Sequence, residues 1–334
     1  MMDVSPPRSL HDAHGRSISY LRISVTDRCE FRCRYCMPAV MSFLPRRELL
    51  SFEELAAVAD RFVARGIRRI RLTGGEPLAR RGLPDLAARI GRNLGTGLDE
   101  LTMTTNGTRL VEHAPALVDA GIRRINVSLD TLDPDRFAYI ARSQQLPDVL
   151  AGLDAAKAAG LHVKINMVAL KGLNDLDIEP MMHWCADQGF DLSLIETMPL
   201  GHIDEDSEDR FLPLTQVKSR LAERYTLMPS DMRTGGPSRY WQVTELGLTL
   251  GLISPLTENF CAGCNRIRLT AEGKLYMCLG HSDQVDVKAA LRDGGIVALD
   301  QVLDQALSTK PLAHDFGVDR ARPSVSRHMS VTGG

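Results

Sequence analysis

Strand-like and helix-like segments alternate along residues 18–198, and this alternation restricts the fold of the 334-residue chain more than any other feature. Six segments have strand character: SISYLRISVT, RRIRLTGG, ELTMTTNG, RRINVSLD, LHVKINMVAL and FDLSLIETM. Helical segments separate them. Because parallel strands need a long crossover, usually a helix, this order predicts an α/β fold with a parallel sheet. An incomplete (β/α) barrel and an open doubly wound sheet both fit it.

The predicted helices carry boundary signals. In SFEELAAVADRFVARG, Ser51 is a favourable N-cap, Glu54 completes a capping box and Gly66 ends the helix. Further helices are predicted near 83–93 and 284–306 and in EHAPALVDAG, PDVLAGLDAAKAAG and DIEPMMHWCADQG.

Three regions follow from this pattern. Residues 1–15 show no periodicity and are predicted to be a flexible arm. Residues 16–200 form the partial barrel, and residues 201–334 form a C-terminal region. Within that region, the acidic stretch 204–210 is predicted to be a solvated loop.

One register of the predicted strands is polar on strand after strand. The interior of a packed barrel is mostly Val, Ile and Leu, and buried polar groups without partners are costly. We therefore expect a hollow barrel that is wet or filled with a ligand. The polar side chains are Arg22, Ser24, Thr26, Arg71, Thr73, Thr102, Thr104, Asn126, Ser128, Asp130, Lys164 and Asn166.

Three cations in this register, Arg22, Arg71 and Lys164, favour a multiply charged anion such as a polyphosphate. The alternative is that they pair with local acids such as Asp130 or Glu196.

The overall composition points away from nucleic acid and membranes. The formal net charge is −2, so any anion site must be a local cluster of cations. No apolar run approaches the ~18 residues of a membrane span. The N-terminal sequence lacks the apolar stretch of a signal peptide, which predicts a cytoplasmic location.

Six of the seven cysteines fall into two trios, and such spacing in a cytoplasmic protein favours metal binding over disulfides. The first trio is Cys29, Cys33 and Cys36, and the second is Cys261, Cys264 and Cys278. A [4Fe–4S] cluster normally takes four thiolates, so three would leave one iron open to a ligand. A zinc site is the alternative, and His281 or Cys185 could complete it at the second trio. Otherwise Cys185 is expected to be a plain buried thiol.

The first trio resembles the hallmark of the radical S-adenosylmethionine (SAM) superfamily, which is Cys-x3-Cys-x2-Cys with an aromatic residue, here Tyr35, before the last cysteine. A second hallmark, a Gly-Gly-Glu-Pro turn after the second strand, stands at residues 74–77. The resemblance implies that the open iron binds the amino and carboxylate groups of SAM. It also implies that the reduced cluster splits SAM into methionine and a 5′-deoxyadenosyl radical.

From about Arg16 to Gly334 the sequence closely resembles the GTP 3′,8-cyclase family of molybdenum cofactor biosynthesis. The shared elements are the first trio, RLTGGEP, TTNG, RRINVSLD, CxxCNRxRLT with a distant third cysteine, and a C-terminal Gly-Gly. The resemblance implies an incomplete (β/α)6 barrel, similar to a TIM barrel, closed by a C-terminal region with a second [4Fe–4S] cluster. The implied reaction, a lyase reaction, turns GTP into (8S)-3′,8-cyclo-7,8-dihydroguanosine 5′-triphosphate after the radical takes the ribose 3′ hydrogen.

The resemblance also assigns residues. Tyr35, Gly75, Ser128 and Met198 match SAM contacts, and the two trios match the ligands of the two clusters. The matches to GTP contacts are Arg22, Arg71, Thr104, Lys164, Arg266 and Arg268. Gly333 and Gly334 match a tail that enters the active site, and no residue is assigned as a conventional acid or base.

The implied partners are GTP, an electron donor, the cyclic pyranopterin monophosphate synthase that follows in the pathway, and a second copy in a homodimer. Two other functions fit parts of the sequence. One is a radical SAM enzyme that modifies a peptide or another small molecule, with a fourth thiolate on the second cluster. The other is a non-catalytic zinc or iron–sulfur module.

Overall fold

Six parallel strands lie side by side in sequence order and form the centre of one sheet. The computed structural model describes residues 9–201, 203, 209–316 and 323–333. The strands are β1 (Tyr20–Ser24), β2 (Arg69–Thr73), β3 (Glu100–Thr105), β4 (Arg124–Ser128), β5 (His162–Ala169) and β6 (Asp191–Glu196). A doubly wound sheet would return to the other side of β1 after a few strands. The sequential order therefore confirms the partial barrel and excludes the doubly wound alternative.

Helices cover one side of these strands. They are α1 (Phe52–Ala64), α2 (Leu83–Gly91), α3 (Leu110–Asp119), α4 (Pro134–Ala141), α5 (Leu146–Ala158) and α6 (Ile178–Gln188). The predicted capping box is confirmed, because Ser51 Oγ accepts from Glu54 N at 3.2 Å and Glu54 Oε2 accepts from Ser51 N at 2.7 Å. Helix α4 was not predicted, although Asp133 caps it and Pro134 opens it.

The C-terminal region extends the sheet at both edges. Its elements are α7 (Leu214–Ala222), β7 (Leu227–Ser230), β8 (Arg239–Val243), β9 (Leu248–Ile253), β10 (Arg266–Leu269), β11 (Lys274–Tyr276), β12 (Gln284–Asp286), α8 (Val287–Ser308) and α9 (Met329–Thr332). Strand β9 pairs in parallel with β6, and β10 pairs in parallel with β1. Antiparallel strands then complete the order β12-β11-β10-β1-β2-β3-β4-β5-β6-β9-β8-β7. The C-terminal region therefore reaches both sides of the barrel opening.

Short elements complete the described chain. Three 3-10 helices span Arg46–Glu48, Pro77–Ala79 and Cys261–Gly263. Helix α8 covers most of the predicted helix and is broken at Gly295, where φ is +64°. Among the described residues, no helix is long and apolar enough to cross a bilayer.

The apolar register packs against the helices, as expected from the alternation. Leu21, Ile23 and Val25 of the β1 segment are fully buried, and so are Ile70 and Leu72 of β2. They belong to one hydrophobic core that runs between the sheet and the helices. The polar register is thereby directed to the opposite, concave side.

The N-terminal segment, for which a flexible arm over residues 1–15 stays a prediction, is described from residue 9 onwards. Leu10 is 2% exposed, and Asp12 pairs with Arg16 at 2.6 Å. Leu10 belongs to the hydrophobic core, and its backbone NH donates to Arg65 O at 3.2 Å. Such contacts produce no periodic pattern that a sequence could reveal. Residues 1–8 and most of the predicted acidic loop at 204–210 lie outside the described residues.

Close helix packing at Gly152 generates the first prediction. A Cβ at Gly152 in α5 would lie 2.1 Å from the carbonyl oxygen of Gly107. We expect Gly152→Ala to lower the free energy of unfolding by about 1–3 kcal/mol, because the two backbones must separate. Chemical denaturation measures the change.

Gly236→Ala is the matched control, since its Cβ would meet no atom closer than 3.8 Å and its φ is not positive. That change should be neutral or stabilising by about 0.4–1 kcal/mol. Equal destabilisation by both substitutions would contradict the close-contact explanation.

Candidate active site

A cavity of about 270 Å³ opens on the concave side of the sheet. The polar register lines it through Arg22, Arg71, Thr73, Thr104, Asn126, Ser128, Asp130, Lys164 and Asn166. Other lining residues come from the first trio, the Gly-Gly turn, the segments flanking the second trio and the C-terminal tail. The prediction of a hollow barrel is therefore confirmed. Ser24 and Thr102 lie deeper, where their hydroxyl groups donate to backbone carbonyls.

Three arginines stand in register on adjacent strands, and we call them the arginine row: Arg268 on β10, Arg22 on β1 and Arg71 on β2. Neighbouring strands are about 4.8 Å apart, and like charges directly opposite each other are destabilising. Burial, Arg268 and Arg71 lower the pKa of Arg22. Burial and Arg266 lower the pKa of Arg268 to about 10. The arginine row therefore favours an anion that lies against all three groups.

Hydroxyl groups contact two cationic side chains of the wall, Arg71 and Lys164. Arg71 Nε donates to Tyr20 OH at 2.6 Å, and Arg71 Nη1 donates to Thr104 Oγ1 at 3.1 Å. Lys164 Nζ donates to Tyr240 OH at 2.9 Å. Burial and the charge of Arg71 lower the pKa of Lys164 to about 7. These contacts orient the cations without cancelling their charge.

Asp130 and Glu196, the acids that the sequence alternative names, are bonded to other groups. Asp130 accepts from Tyr35 OH and from Val168 N, each at 2.8 Å. Glu196 accepts from Leu214 N at 3.1 Å and from Leu256 N at 3.0 Å, and Thr257 Oγ1 also donates to it. Neither of these two acids forms an ion pair with Arg71 or Lys164 in the described part of the chain.

The first trio lies in a loop held by the end of α4. Arg32 N donates to Ala141 O, and Arg34 N donates to Ile140 O, each at 3.0 Å. Cys29, Cys33 and Cys36 all line the cavity. Burial raises the pKa of all three thiols, that of Cys36 to about 12. These thiols are therefore protonated in the absence of a metal, and a bound cationic metal centre would have to displace their protons, as metal coordination does.

Tyr35 orients the last part of this loop. Its hydroxyl group donates to Asp130, which follows β4, so the residue before Cys36 is tied to the barrel wall. Burial raises the pKa of Asp130 to about 6, although Val168 N and Tyr35 OH act in the opposite direction.

The Gly-Gly turn approaches the same loop closely. Gly75 N donates to Thr26 O at 2.8 Å, and Glu76 N donates to Arg28 O at 2.7 Å. A Cβ at Gly75 would lie 2.4 Å from Arg28 O. Glycine at this position is therefore required for the turn to reach the residues before Cys29.

The second trio lies beside the opposite part of the cavity. Its cysteines do not line the cavity themselves, but their neighbours Phe260, Arg266 and Leu279 do. Cys264 N donates to Cys261 O at 3.0 Å, and Lys310 Nζ lies 3.7 Å from Cys264 Sγ. Burial acts to raise the pKa of Cys264, but Arg266 and Lys310 outweigh burial and lower it to about 7. This thiol is thus more easily ionised than those of the first trio.

The C-terminal tail returns to the barrel through α9. Met329 and Ser330 line the cavity, and the Gly333 carbonyl accepts from Arg268 Nη1 at 3.1 Å. Gly333 has φ +72°, and a Cβ there would lie 1.9 Å from Thr73 Oγ1. Gly333, predicted to belong to a tail that enters the active site, therefore lies against the arginine row. Gly334 lies outside the described residues.

The structure brings the predicted ligand contacts to one cavity. Those assigned to SAM and those assigned to GTP all line it: Tyr35, Gly75, Ser128 and Met198, with Arg22, Arg71, Thr104, Lys164, Arg266 and Arg268. Their roles remain predictions. Tyr20 was missed although it shares the register of Arg22, and Tyr240 and Lys310 carried no sequence signal.

The donor sets can be compared with what a metal centre requires. Among the described residues, no three His, Cys, Asp or Glu side chains converge closely enough to hold a single metal ion. The thiolates of a [4Fe–4S] cluster need not converge on one point, because each of them binds a different iron. Three thiols on one short loop fit this arrangement at the first trio.

Comparison with known proteins identifies the family. Residues 23–185 match the Radical SAM superfamily, and residues 190–316 match Molybdenum Cofactor Synthesis C. The GTP 3′,8-cyclase of Erythrobacter litoralis is 56% identical over 97% of this chain and 98% of its own length. That of Sinorhizobium medicae is 54% identical over 99% of this chain and 96% of its own length. The chain belongs to the GTP 3′,8-cyclase family.

Solved structures support the fold of this family member. Streptococcus suis SuiB bound to S-adenosylmethionine aligns over 95% of this chain and 78% of its own length, with a TM-score of 0.62 and 14% identity. At that identity the likeness concerns the fold, a curled half-barrel sheet with a C-terminal extension.

The contact between Tyr35 and Asp130 generates the second prediction. We expect Tyr35→Phe to lower the free energy of unfolding by about 1–3 kcal/mol, because a buried carboxylate oxygen loses its donor. A double-mutant cycle with Asp130→Asn, measured by chemical denaturation, isolates the pair. Strictly additive effects of the two substitutions would contradict the proposed coupling.

Proposed function

We propose that the chain is a GTP 3′,8-cyclase that uses SAM to convert GTP into (8S)-3′,8-cyclo-7,8-dihydroguanosine 5′-triphosphate. The observation that carries this proposal is the arginine row, which lies in a cavity between two cysteine trios. Membership of the family supports the substrate and the reaction. A triphosphate supplies the extended negative charge that such a row favours.

Cys29, Cys33 and Cys36 would hold a [4Fe–4S] cluster that also binds SAM. When bound, that cluster supplies the electron that generates a 5′-deoxyadenosyl radical, which takes the 3′ hydrogen of GTP. Tyr35, Gly75, Ser128 and Met198 would position SAM, since all four line the cavity that the first trio also lines.

Cys261, Cys264 and Cys278 would hold a second [4Fe–4S] cluster at the guanine end of GTP. Phe260, Arg266 and Leu279, which lie close to these cysteines in the sequence, line the cavity. The thiol of Cys264 suits metal binding, because its pKa is already lowered to about 7.

The protein's main contribution is to position GTP. Arg22, Arg71, Arg268 and Lys164 would hold the triphosphate, and Arg266 and Thr104 would contact GTP beside them. Holding both ends of the nucleotide fixes the distance between ribose C3′ and guanine C8, which favours cyclisation over side reactions. Gly333 would complete the wall near the reacting atoms.

The partners follow from the reaction. The chain would need an electron donor for the first cluster and would pass its product to a cyclic pyranopterin monophosphate synthase. A homodimer in the cytoplasm is also proposed, from the family resemblance.

The experiment that tests the function uses GTP deuterated at the ribose 3′ carbon. Anaerobically reconstituted protein is incubated with this GTP, SAM and dithionite, and 5′-deoxyadenosine is analysed by mass spectrometry. Deuterium in 5′-deoxyadenosine is the expected result. Unlabelled 5′-deoxyadenosine would indicate another substrate or position, and its absence despite intact clusters would refute radical SAM chemistry.

Removal of single arginines from the arginine row should weaken the use of GTP. We expect Arg22→Ala and Arg268→Ala each to raise the KM for GTP on the order of tenfold to a hundredfold, because a charge-assisted phosphate contact is lost. Iron content should stay unchanged. Arg68→Ala, at an exposed arginine just before β2, is the matched control. Normal GTP kinetics in both cavity variants would refute the triphosphate assignment.

Lys164 should make GTP binding depend on pH. Its pKa is about 7 in the free protein, and a bound triphosphate would raise it. Affinity should therefore be full below pH 7 and fall, by up to about tenfold per pH unit, as the pH rises above 7. Anaerobic titration of GTP between pH 6.5 and 8.5 measures this.

Lys164→Arg is the control, because arginine stays charged over this range while the phosphate of GTP titrates identically. The variant should lose the decline above pH 7. A decline of equal size in both proteins would contradict the role of Lys164.

Cys185 distinguishes this function from a peptide-modifying enzyme with a closed second cluster. The structure places Cys185 in α6, fully buried in the hydrophobic core. We therefore expect Cys185→Ser to retain about eight irons per chain, as two four-iron clusters require. Loss of about half of the iron would instead favour Cys185 as a fourth ligand.

A further inference from the structure

Lys310 is a buried lysine that the proposed reaction does not use. It follows α8, and 2% of the residue is exposed. Its Nζ donates to Met277 O at 2.5 Å and to Arg266 O at 3.0 Å, and it lies 3.7 Å from Cys264 Sγ. An ammonium group has three N–H donors, and these three contacts account for all of them.

Both carbonyl groups belong to the segments that carry the second trio. Arg266 lies two residues after Cys264, and Met277 directly precedes Cys278. Lys310 therefore ties the start of β10 to the end of β11, from which Cys264 and Cys278 project. One cation thus sets the spacing of two thiols.

A buried ammonium group is costly unless an anion lies nearby. The two carbonyl groups solvate the charge of Lys310 without neutralising it. The neighbouring carboxylate, Asp12, already pairs with Arg16 at 2.6 Å. The sulfur of Cys264 is the contacting atom that can carry negative charge, and it does so as a metal ligand.

We propose that Lys310 is a positioning residue for the second cluster, which holds Cys264 by an N–H···S hydrogen bond and raises the reduction potential of that cluster. This inference rests on the second cluster of the proposed function. Reduction adds one electron, and therefore one negative charge, to the cluster. A nearby ammonium group stabilises the reduced form more than the oxidised form, and a hydrogen bond to the ligand sulfur acts in the same direction.

The first trio has a different neighbour. There the amide nitrogen of Asn106 lies 3.9 Å from Cys29 Sγ, and this group is neutral. A charged group also lies near the first trio, but Arg32 Nη1 donates to the backbone carbonyl of Cys29 and not to a sulfur. A cationic N–H···S contact is therefore seen at the second trio, through Lys310.

The test is a redox titration of the reconstituted holoenzyme with dithionite as the electron source, followed by electron paramagnetic resonance. The signal of the second cluster is identified as the one that added SAM leaves unchanged. In Lys310→Met, which shortens the unbranched side chain by one atom and removes its charge, we expect a lower midpoint potential for this cluster. Lys310→Arg should keep it near the wild-type value, and the first cluster should not shift in either variant.

Lys157→Met is the matched control, because Lys157 donates to Gln188 O on the helical side of the sheet. The midpoint potential of the second cluster in Lys157→Met should equal that in the wild type. An unchanged potential in Lys310→Met with full iron content would overturn the proposal, and so would an equal fall in Lys310→Arg.

Iron analysis covers the case in which Lys310→Met fails to assemble. If Lys310→Met loses about half of its iron while Lys310→Arg keeps it, the charge is needed to hold the second cluster, which supports the proposal. Equal loss in both variants would overturn it. If the wild type itself binds about four irons, the second cluster of the proposed function is refuted, and this inference with it.

Discussion

The in-register alignment of Arg268, Arg22 and Arg71 is the constraint on which the rest of the cavity depends. Three like charges on adjacent strands cannot be packed into an ordinary barrel core, because each would lack both water and a counter-ion. The barrel must therefore remain hollow at this height. The cost of holding the row is offset when an anion binds, which couples the stability of this wall to its ligand.

The C-terminal region makes that alignment possible. Strand β10 comes from a part of the chain far from β1 in sequence, yet it pairs with β1 and brings Arg268 beside Arg22. At the other edge, β9 pairs with β6, and β8 places Tyr240 against Lys164. The tail then places Gly333 against Arg268. The region that carries the second trio thus completes the cavity from both edges.

The alternation of side chains was a sufficient guide to the polar cavity, whereas the order of strands and helices left the partial barrel and the doubly wound sheet open. The register of Arg22, Arg71 and Lys164 follows from a period of two residues, so their common face was predictable. The pairing of β10 with β1 was not, because partners distant in sequence leave no periodic signal. Lys310 was also missed, because a single lysine after a helix leaves no pattern in the sequence. The position of Lys310 becomes informative in the folded chain, where its Nζ contacts Arg266, Met277 and Cys264.

Helix α4 shows a different limit. Its N-cap, Asp133, and first residue, Pro134, are typical of a helix start, but a helix of eight residues is too short to show a clear 3.6-residue repeat. Its end supports the first trio through Ala141 and Ile140. A short element was therefore missed where the structure uses it to hold the loop of the first trio.

The central claim is that the arginine row binds a triphosphate between two cysteine trios. An anaerobic crystal structure of the reconstituted protein with GTP and SAM tests it most directly. The account predicts phosphate oxygens within hydrogen-bond distance of Arg22, Arg71 and Arg268, with guanine at the second trio and SAM at the first. A triphosphate bound outside this row, or guanine directed to the first trio, would contradict it.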